Sequence, residues 1–150
     1  MAICLRYASD KKDAQEITND TFMKVFSHIN KFDLQQSFKG WLRKITINSA
    51  LDHLRRNKRH SHYIEIDHFF VTSNESAFSK LSAEDLLQII ALLPDIQRYT
   101  FNLYEIEGYS HQEIATQLGI PESSSRVYLT RAKQRLRELC HAYFGIDNGR

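Results

Sequence analysis

Residues 111–131, HQEIATQLGIPESSSRVYLTR, constrain this chain more than any other stretch. Two helices that cross closely need a small residue at the crossing and, four positions on, a glycine that lets the chain turn. Ala115 and Gly119 keep that spacing, with Ile114, Leu118 and Ile120 as the apolar lock. Just upstream, Ser110 and Glu113 have the spacing of a capping box, in which each side chain satisfies the other residue's backbone N–H. Pro121 stands ahead of a last helix running to about Tyr143. At 100° per residue, Ser125, Leu129, Ala132, Leu136 and Leu139 share one face of that helix and are expected to pack inward. Arg126, Thr130, Lys133 and Arg137 fall on the other face, with Val127 and Arg131 beside them. A face of bases, small groups and a hydroxyl suits the major groove. The blander alternative is an antiparallel helix pair with a solvated basic face. The Ala/Gly spacing, the capping box and an acid-free second helix coincide here, which favours DNA binding.

The net charge of +2 conceals a strongly uneven distribution. Residues 39–59 carry seven bases and one acid, Asp52, and residues 123–137 carry five bases and no acid. Between them, residues 81–108 hold Glu84, Asp85, Asp95, Glu105 and Glu107 against Arg98 alone. Basic blocks of this kind commonly meet phosphate.

Upstream, the apolar period predicts further helices. MAICLRYA starts in apolar helical sequence without a capping residue. From Asp13, the residues Ala14, Ile17, Phe22, Val25, Phe26 and Ile29 fall near one face and Asp13, Glu16, Asn19, Asp20 and Lys24 on the other. That pattern predicts a surface helix with an acidic outside. Residues 31–39 break the period and read as a loop. Over residues 38–57, Phe38, Trp41, Leu42, Ile45 and Ser49 share one side while Ile47, Ala50, Leu51 and Leu54 share nearly the opposite side, which predicts a helix sandwiched between neighbours. One narrow polar stripe is left, Lys44, Asn48, Asp52, Arg55 and Arg59. With Phe32, Phe38 and Trp41 near its start it suits single-stranded nucleic acid, although a lone aromatic at helical spacing is more often core. Residues 60–82 lose the helical period and read as a linker, with a short strand or an extended tether at 63–67. Then Ser82 starts a helix with Leu86, Leu87, Ile90 and Leu93 as its buried stripe. Pro94 separates it from one carrying Ile96, Tyr99, Leu103 and Ile106, which Gly108 ends.

Other classes of function find little support. Cys4 and Cys140 stand at opposite ends with no C-x-x-C pair and are read as reduced thiols. His60, His62 and His68, with Glu65 and Asp67, could be taken for a metal-dependent hydrolase, but H-x-H in a polar linker lacks a scaffold to fix ligand geometry. No nucleophile elbow, P-loop or G-x-G-x-x-G occurs. No apolar run of about 18 residues and no signal-peptide order appears, so a cytosolic protein without membrane insertion is expected. The reading requires no catalytic residue, no metal and no cofactor.

Three segments in order, DAQEITNDTFMKVF (13–26), FKGWLRKITINSALDHLRR (38–56) and EGYSHQEIATQLGI (107–120), resemble the extracytoplasmic-function (ECF) sigma factors of bacterial RNA polymerase, of the sigma-70 superfamily. The resemblance implies an all-α fold with two small helical domains joined by a flexible linker. Residues 1–59 would form a domain 2 type bundle, 60–82 the linker, and 83–145 a domain 4 type helix-turn-helix. It implies that Asp13, Glu16, Asn19 and Asp20 dock on core RNA polymerase. Asn48, Arg55 and Arg56, supported by Lys44 and Arg59, would hold the non-template strand of the −10 element. Arg126, Val127, Thr130 and Arg131, with Lys133 beside them, would read the −35 element of promoter DNA. It also implies an anti-sigma partner and a monomer when free of polymerase. Two departures stand out: the family's first domain usually opens with a longer helix than MAICLRYA, and Ser125 occupies a place where many such helices put Val. The alternative function is a helix-turn-helix regulator that acts on duplex DNA without being a polymerase subunit.

Overall fold

The structure, a computed structural model, describes residues 2–60 and 82–144, and every regular element among them is helical. The first three helices are α1 (Ala2–Tyr7), α2 (Lys11–His28) and α3 (Phe38–His60), with a 3-10 turn at Ile29–Lys31 closing α2. Asp10 caps α2, its carboxylate accepting from the Asp13 N–H at 2.8 Å. Four more follow: α4 (Ala83–Ala91), α5 (Asp95–Phe101), α6 (His111–Leu118) and α7 (Glu122–Phe144). The expected short strand or tether at 63–67, and the histidines His62 and His68, lie outside the described residues.

Local chemistry sets the boundaries of the second unit. Ser82 and Asp85 form one reciprocal capping box and Ser110 and Glu113 another, each satisfying N–H groups that a helix start leaves unpaired. In both boxes the serine backbone N–H and hydroxyl donate to the carboxylate, which holds Asp85 and Glu113 below the ordinary carboxylate range. Gly119 ends α6 at φ +65°. A Cβ there would meet nothing within 4 Å, so the left-handed backbone rather than lack of room selects glycine. Between α5 and α6 the helix widens into a π turn at Asn102–Ile106. Such a turn is rare and redirects the residues after it.

Of the six residues in the apolar stripe expected on α2, only two are buried. Ala14 and Ile17 are inside together with Thr21, but Phe22 is 53% and Phe26 73% exposed, with Met23 and Ile29 also open. The acidic outside expected for α2 needs correction as well. Asp13 lies 3.3 Å from His53 on α3, Glu16 lies 3.5 Å from Arg56, and Asp20 pairs with Arg56 at 2.5 Å. Helix α2 therefore faces α3 with its acids as much as with its apolar groups.

Helix α3 buries Ile47, Ala50, Leu51 and Leu54 as expected, and Thr46, Ser49 and His53 with them. Its first turn is not sandwiched: Phe38 is exposed, while Trp41, Leu42 and Ile45 are half-buried.

One hydrophobic core runs through both units. Cys4, Tyr7, Ala14, Ile17, Ile47 and Leu51 cluster with Tyr99, Leu103 and Ile114. Each large side chain taken fully from water there contributes about 1.5–3 kcal/mol. Nothing in the periodicity foretold this direct packing of the two units.

Candidate nucleic-acid interface

The polar stripe of α3 lines one wall of an open cavity of about 500 Å³. Trp41, Ile45, Asn48, Asp52 and Arg55 come from α3, and Lys24, His28 and Lys31 come from the end of α2 and the turn after it. Three cations or potential cations at spacings of 4 and 3 place the last turns of α2 opposite the stripe. Trp41 is held by neighbouring rings, its centroid 5.0 Å from that of Phe32 and 5.7 Å from that of Phe38, while Phe32 and Phe38 meet edge to face at 5.5 Å. Aromatic pairs at such separations fix ring orientation as well as area.

Asp52 organises the floor of the cavity, accepting from Lys24 Nζ at 2.7 Å and from Arg55 Nη1 at 2.8 Å. Burial works against its ionisation, yet the hydrogen bonds and charges of Lys24 and Arg55 prevail and hold the carboxyl below its ordinary value. The second nitrogen of Arg55, Nη2, donates to the carbonyl of Gln117 at 2.8 Å. Asn48 and Lys44 are exposed on the same helix. Arg56 does not join the stripe, since it turns to Asp20 and Glu16 on α2. The Asp20 hydrogen bond raises its pKa. Arg59 lies in the last turn of α3, and its side chain falls outside the described residues.

On the second unit, α7 buries Ser125, Leu129, Ala132 and Leu139, while Leu136 is half-buried. Arg126, Val127, Thr130 and Arg131 are exposed on the opposite face. Arg126 pairs with Glu122 one turn earlier, and Lys133 reaches Glu105 at 2.5 Å. The buried Ser125 hydroxyl lies 2.9 Å from His111 Nδ1, and the His111 ring stacks on Tyr104 at 4.5 Å. A serine at this position thus finds a polar partner across the helix crossing.

Sequence reasoning missed two groups. Lys24, His28 and Lys31 line the cavity, a role their helical spacing could have indicated. Phe22 and Phe26 are open on α2 although their spacing reads as core, and Met23 beside them is open as well. With Glu16 and Asn19 beside them, they form an exposed apolar strip on α2.

Residues 1–60 match sigma-70 region 2, and residues 83–136 match sigma-70 region 4. The chain belongs to the sigma-70 family, as an RNA polymerase sigma factor of the ECF type. Similar proteins include the RNA polymerase sigma factor SigZ of Bacillus subtilis, 27% identical over 90% of this chain and 81% of that protein. The ECF sigma factor SigM of the same organism is 27% identical over 90% of this chain and 84% of its own length. The ECF sigma factor SigE of Mycolicibacterium smegmatis is 32% identical over 91% of this chain, which spans 55% of that relative. Among solved structures, the sigma factor RpoE from Bartonella quintana, in complex with the anti-sigma factor NepR, shares the fold. The TM-score is 0.57 at 24% identity, over 92% of this chain and 87% of that one. Among the described residues, no helix is long and apolar enough to cross a membrane.

Proposed function

We propose that this sigma factor divides promoter recognition between its two units, residues 1–59 acting on the −10 element and residues 83–145 on the −35 element, with 60–82 as the link. The observation that carries the reading is the cavity in which Trp41 stands beside Asn48 and Arg55. An unstacked base laid on Trp41 gains about 1–3 kcal/mol, and pulling a base from the duplex costs a few kcal/mol. One captured base offsets most of that cost, and a second with phosphate contacts from Lys24, Lys31, Lys44 and Arg55 would tip the balance. Asn48 offers both a donor and an acceptor to a base edge. On α7, Arg126, Val127, Thr130 and Arg131 supply the major-groove contacts, and Lys133 a supporting charge.

The outer side of α2 is the surface for core RNA polymerase. Glu16 and Asn19 are joined there by Phe22, Met23 and Phe26, while Asp13 and Asp20 position it through α3. The chain supplies specificity and the core enzyme the chemistry, so the reading needs no catalytic residue or cofactor. The RpoE relative was solved with an anti-sigma factor, and an anti-sigma protein of the same kind is the regulatory partner proposed for this chain, which is monomeric until polymerase binds.

Reconstitution with core polymerase, followed by run-off transcription from genomic fragments, tests the whole. Arg126→Ala or Arg131→Ala should weaken selection at one −35 base by about 1–3 kcal/mol. Asn48→Ala and Arg55→Ala should lower permanganate reactivity at the −10 element while duplex binding persists. Normal opening by those two variants would remove α3 from the −10 role.

A further inference from the structure

His53 on α3 is 4% exposed and is the only buried histidine among the described residues. Its Nε2 has two neighbours, Asn57 Nδ2 at 3.0 Å and Asp13 Oδ1 at 3.3 Å. An amide N–H aimed at Nε2 needs a lone pair there, which leaves the proton of a neutral ring on Nδ1. That buried Nδ1 makes no hydrogen bond among the described residues. A donor withdrawn from water with nothing to receive its proton is costly, so it draws the acceptor it faces. That acceptor is Glu16 Oε1 on α2, 3.6 Å away.

The acids of α2 around His53 are not equivalent. Asp13 accepts from the Ser9 hydroxyl besides lying against Nε2, and Asp20 pairs with Arg56 at 2.5 Å. Their side chains are 22% and 32% exposed, against 50% for Glu16. Glu16 also lies 3.5 Å from Arg56 Nη2. It stands between a guanidinium and a ring nitrogen and is fully bonded to neither. Glu16, Asn19, Met23 and Phe26, at spacings of 3, 4 and 3, share one stripe of the helix. One acid open to a cation therefore heads a stripe that ends in an exposed ring.

Resting on the assignment of the outer side of α2 to core polymerase, we infer that His53 is a positioning residue for that contact. Its Nδ1–H holds the Glu16 carboxylate at the surface, aimed at a cationic group of the polymerase. Being buried, the ring itself meets no polymerase group. What it contributes is preorganisation. A glutamate gives up rotamer freedom when it docks, and a carboxylate already held on the stripe has given up most of it beforehand. Arg56 supports Glu16 from the other side but is committed to Asp20, so the imidazole decides the setting.

Asparagine and glutamine separate the two ring nitrogens, because the amide of asparagine reaches about as far as Nδ1 and that of glutamine about as far as Nε2. The full chain, fluorescently labelled, is titrated with core polymerase, and a cooperative urea transition shows that each variant folds. His53→Gln keeps a partner for Asn57 and Asp13 and loses the donor facing Glu16. It should retain stability yet bind polymerase about fivefold more weakly, the scale of fixing one mobile side chain. His53→Asn keeps that donor and loses the other contacts. It should lose stability yet bind within about twofold of the parent chain. Stability and affinity then rank the two variants in opposite orders, which a ring that merely fills space would not produce. Glu16→Gln tests the surface itself: it should weaken binding, and His53→Gln added to it should cost nothing more. If the two His53 variants bind in the order of their stabilities, or if His53→Gln weakens binding as much beside Glu16→Gln as alone, the positioning role is overturned while Glu16 keeps its place at the interface. Full affinity of Glu16→Gln overturns the assignment of this surface and the inference with it.

Discussion

Arg98 donates its Nε to the carbonyl of Tyr7 at 3.0 Å, 91 positions away, tying α5 to the C-terminus of α1. The guanidinium also reaches the Ala91 and Leu93 carbonyls at the end of α4 and the Asp95 carboxylate. It is 3% exposed. Those carbonyls belong to helix ends and have no partner within their own helix. Replacing Arg98 with Ala leaves them buried and unpaired, which should destabilise the chain by about 3 kcal/mol. Urea denaturation at neutral pH measures this as a lower midpoint with an unchanged slope. A loss below about 1 kcal/mol, the scale of an exposed ion pair, would mean that water replaces Arg98 without cost.

His111 makes stability depend on pH. Its ring is partly desolvated and faces the Arg126 charge, with Glu122 opposing weakly, so its pKa lies below the ordinary 6.5. Between the depressed value and 6.5 the unfolded chain binds more protons than the folded one. The contribution is therefore complete above 6.5 and is lost as pH falls through the folded value. The urea midpoint should fall between about pH 7.5 and pH 5.5, and His111→Gln should flatten that slope. An equal slope in the variant would assign the dependence to other groups.

How much of this was legible in the sequence depended on distance along the chain. The capping boxes at Ser82 and Ser110, the left-handed Gly119 and the inward face of α7 are set by residues within a turn or two, and spacing predicts them. Periodicity shows which residues share a face, not what covers that face. Phe22 and Phe26 therefore read as core and turn out open, while Arg56 reads as part of a basic block and turns out to be bound to Asp20. The least legible feature was Glu107, one acid among five in an acidic stretch. Its partners Arg6 and Arg43 lie 101 and 64 positions away, and the π turn that aims it has no simple residue signature.

The exposed strip on α2 distinguishes a docking surface from a packing defect. Phe26 is the most open aromatic of the strip. It buries little in the free chain, so Phe26→Ser should change folding stability by no more than about 0.5 kcal/mol. Against core polymerase an aromatic anchor of this kind is worth about 2 kcal/mol when it fills a pocket, or roughly thirtyfold in affinity. Titrating fluorescently labelled chain with core polymerase would show that loss, while Lys12→Ala, an exposed change at the other end of the helix, should leave affinity within about twofold. If Phe26→Ser instead lowered the urea midpoint as far as a core truncation does, about 3–5 kcal/mol, the ring would belong to the interior. The acids of α2 alone would then carry the polymerase contact.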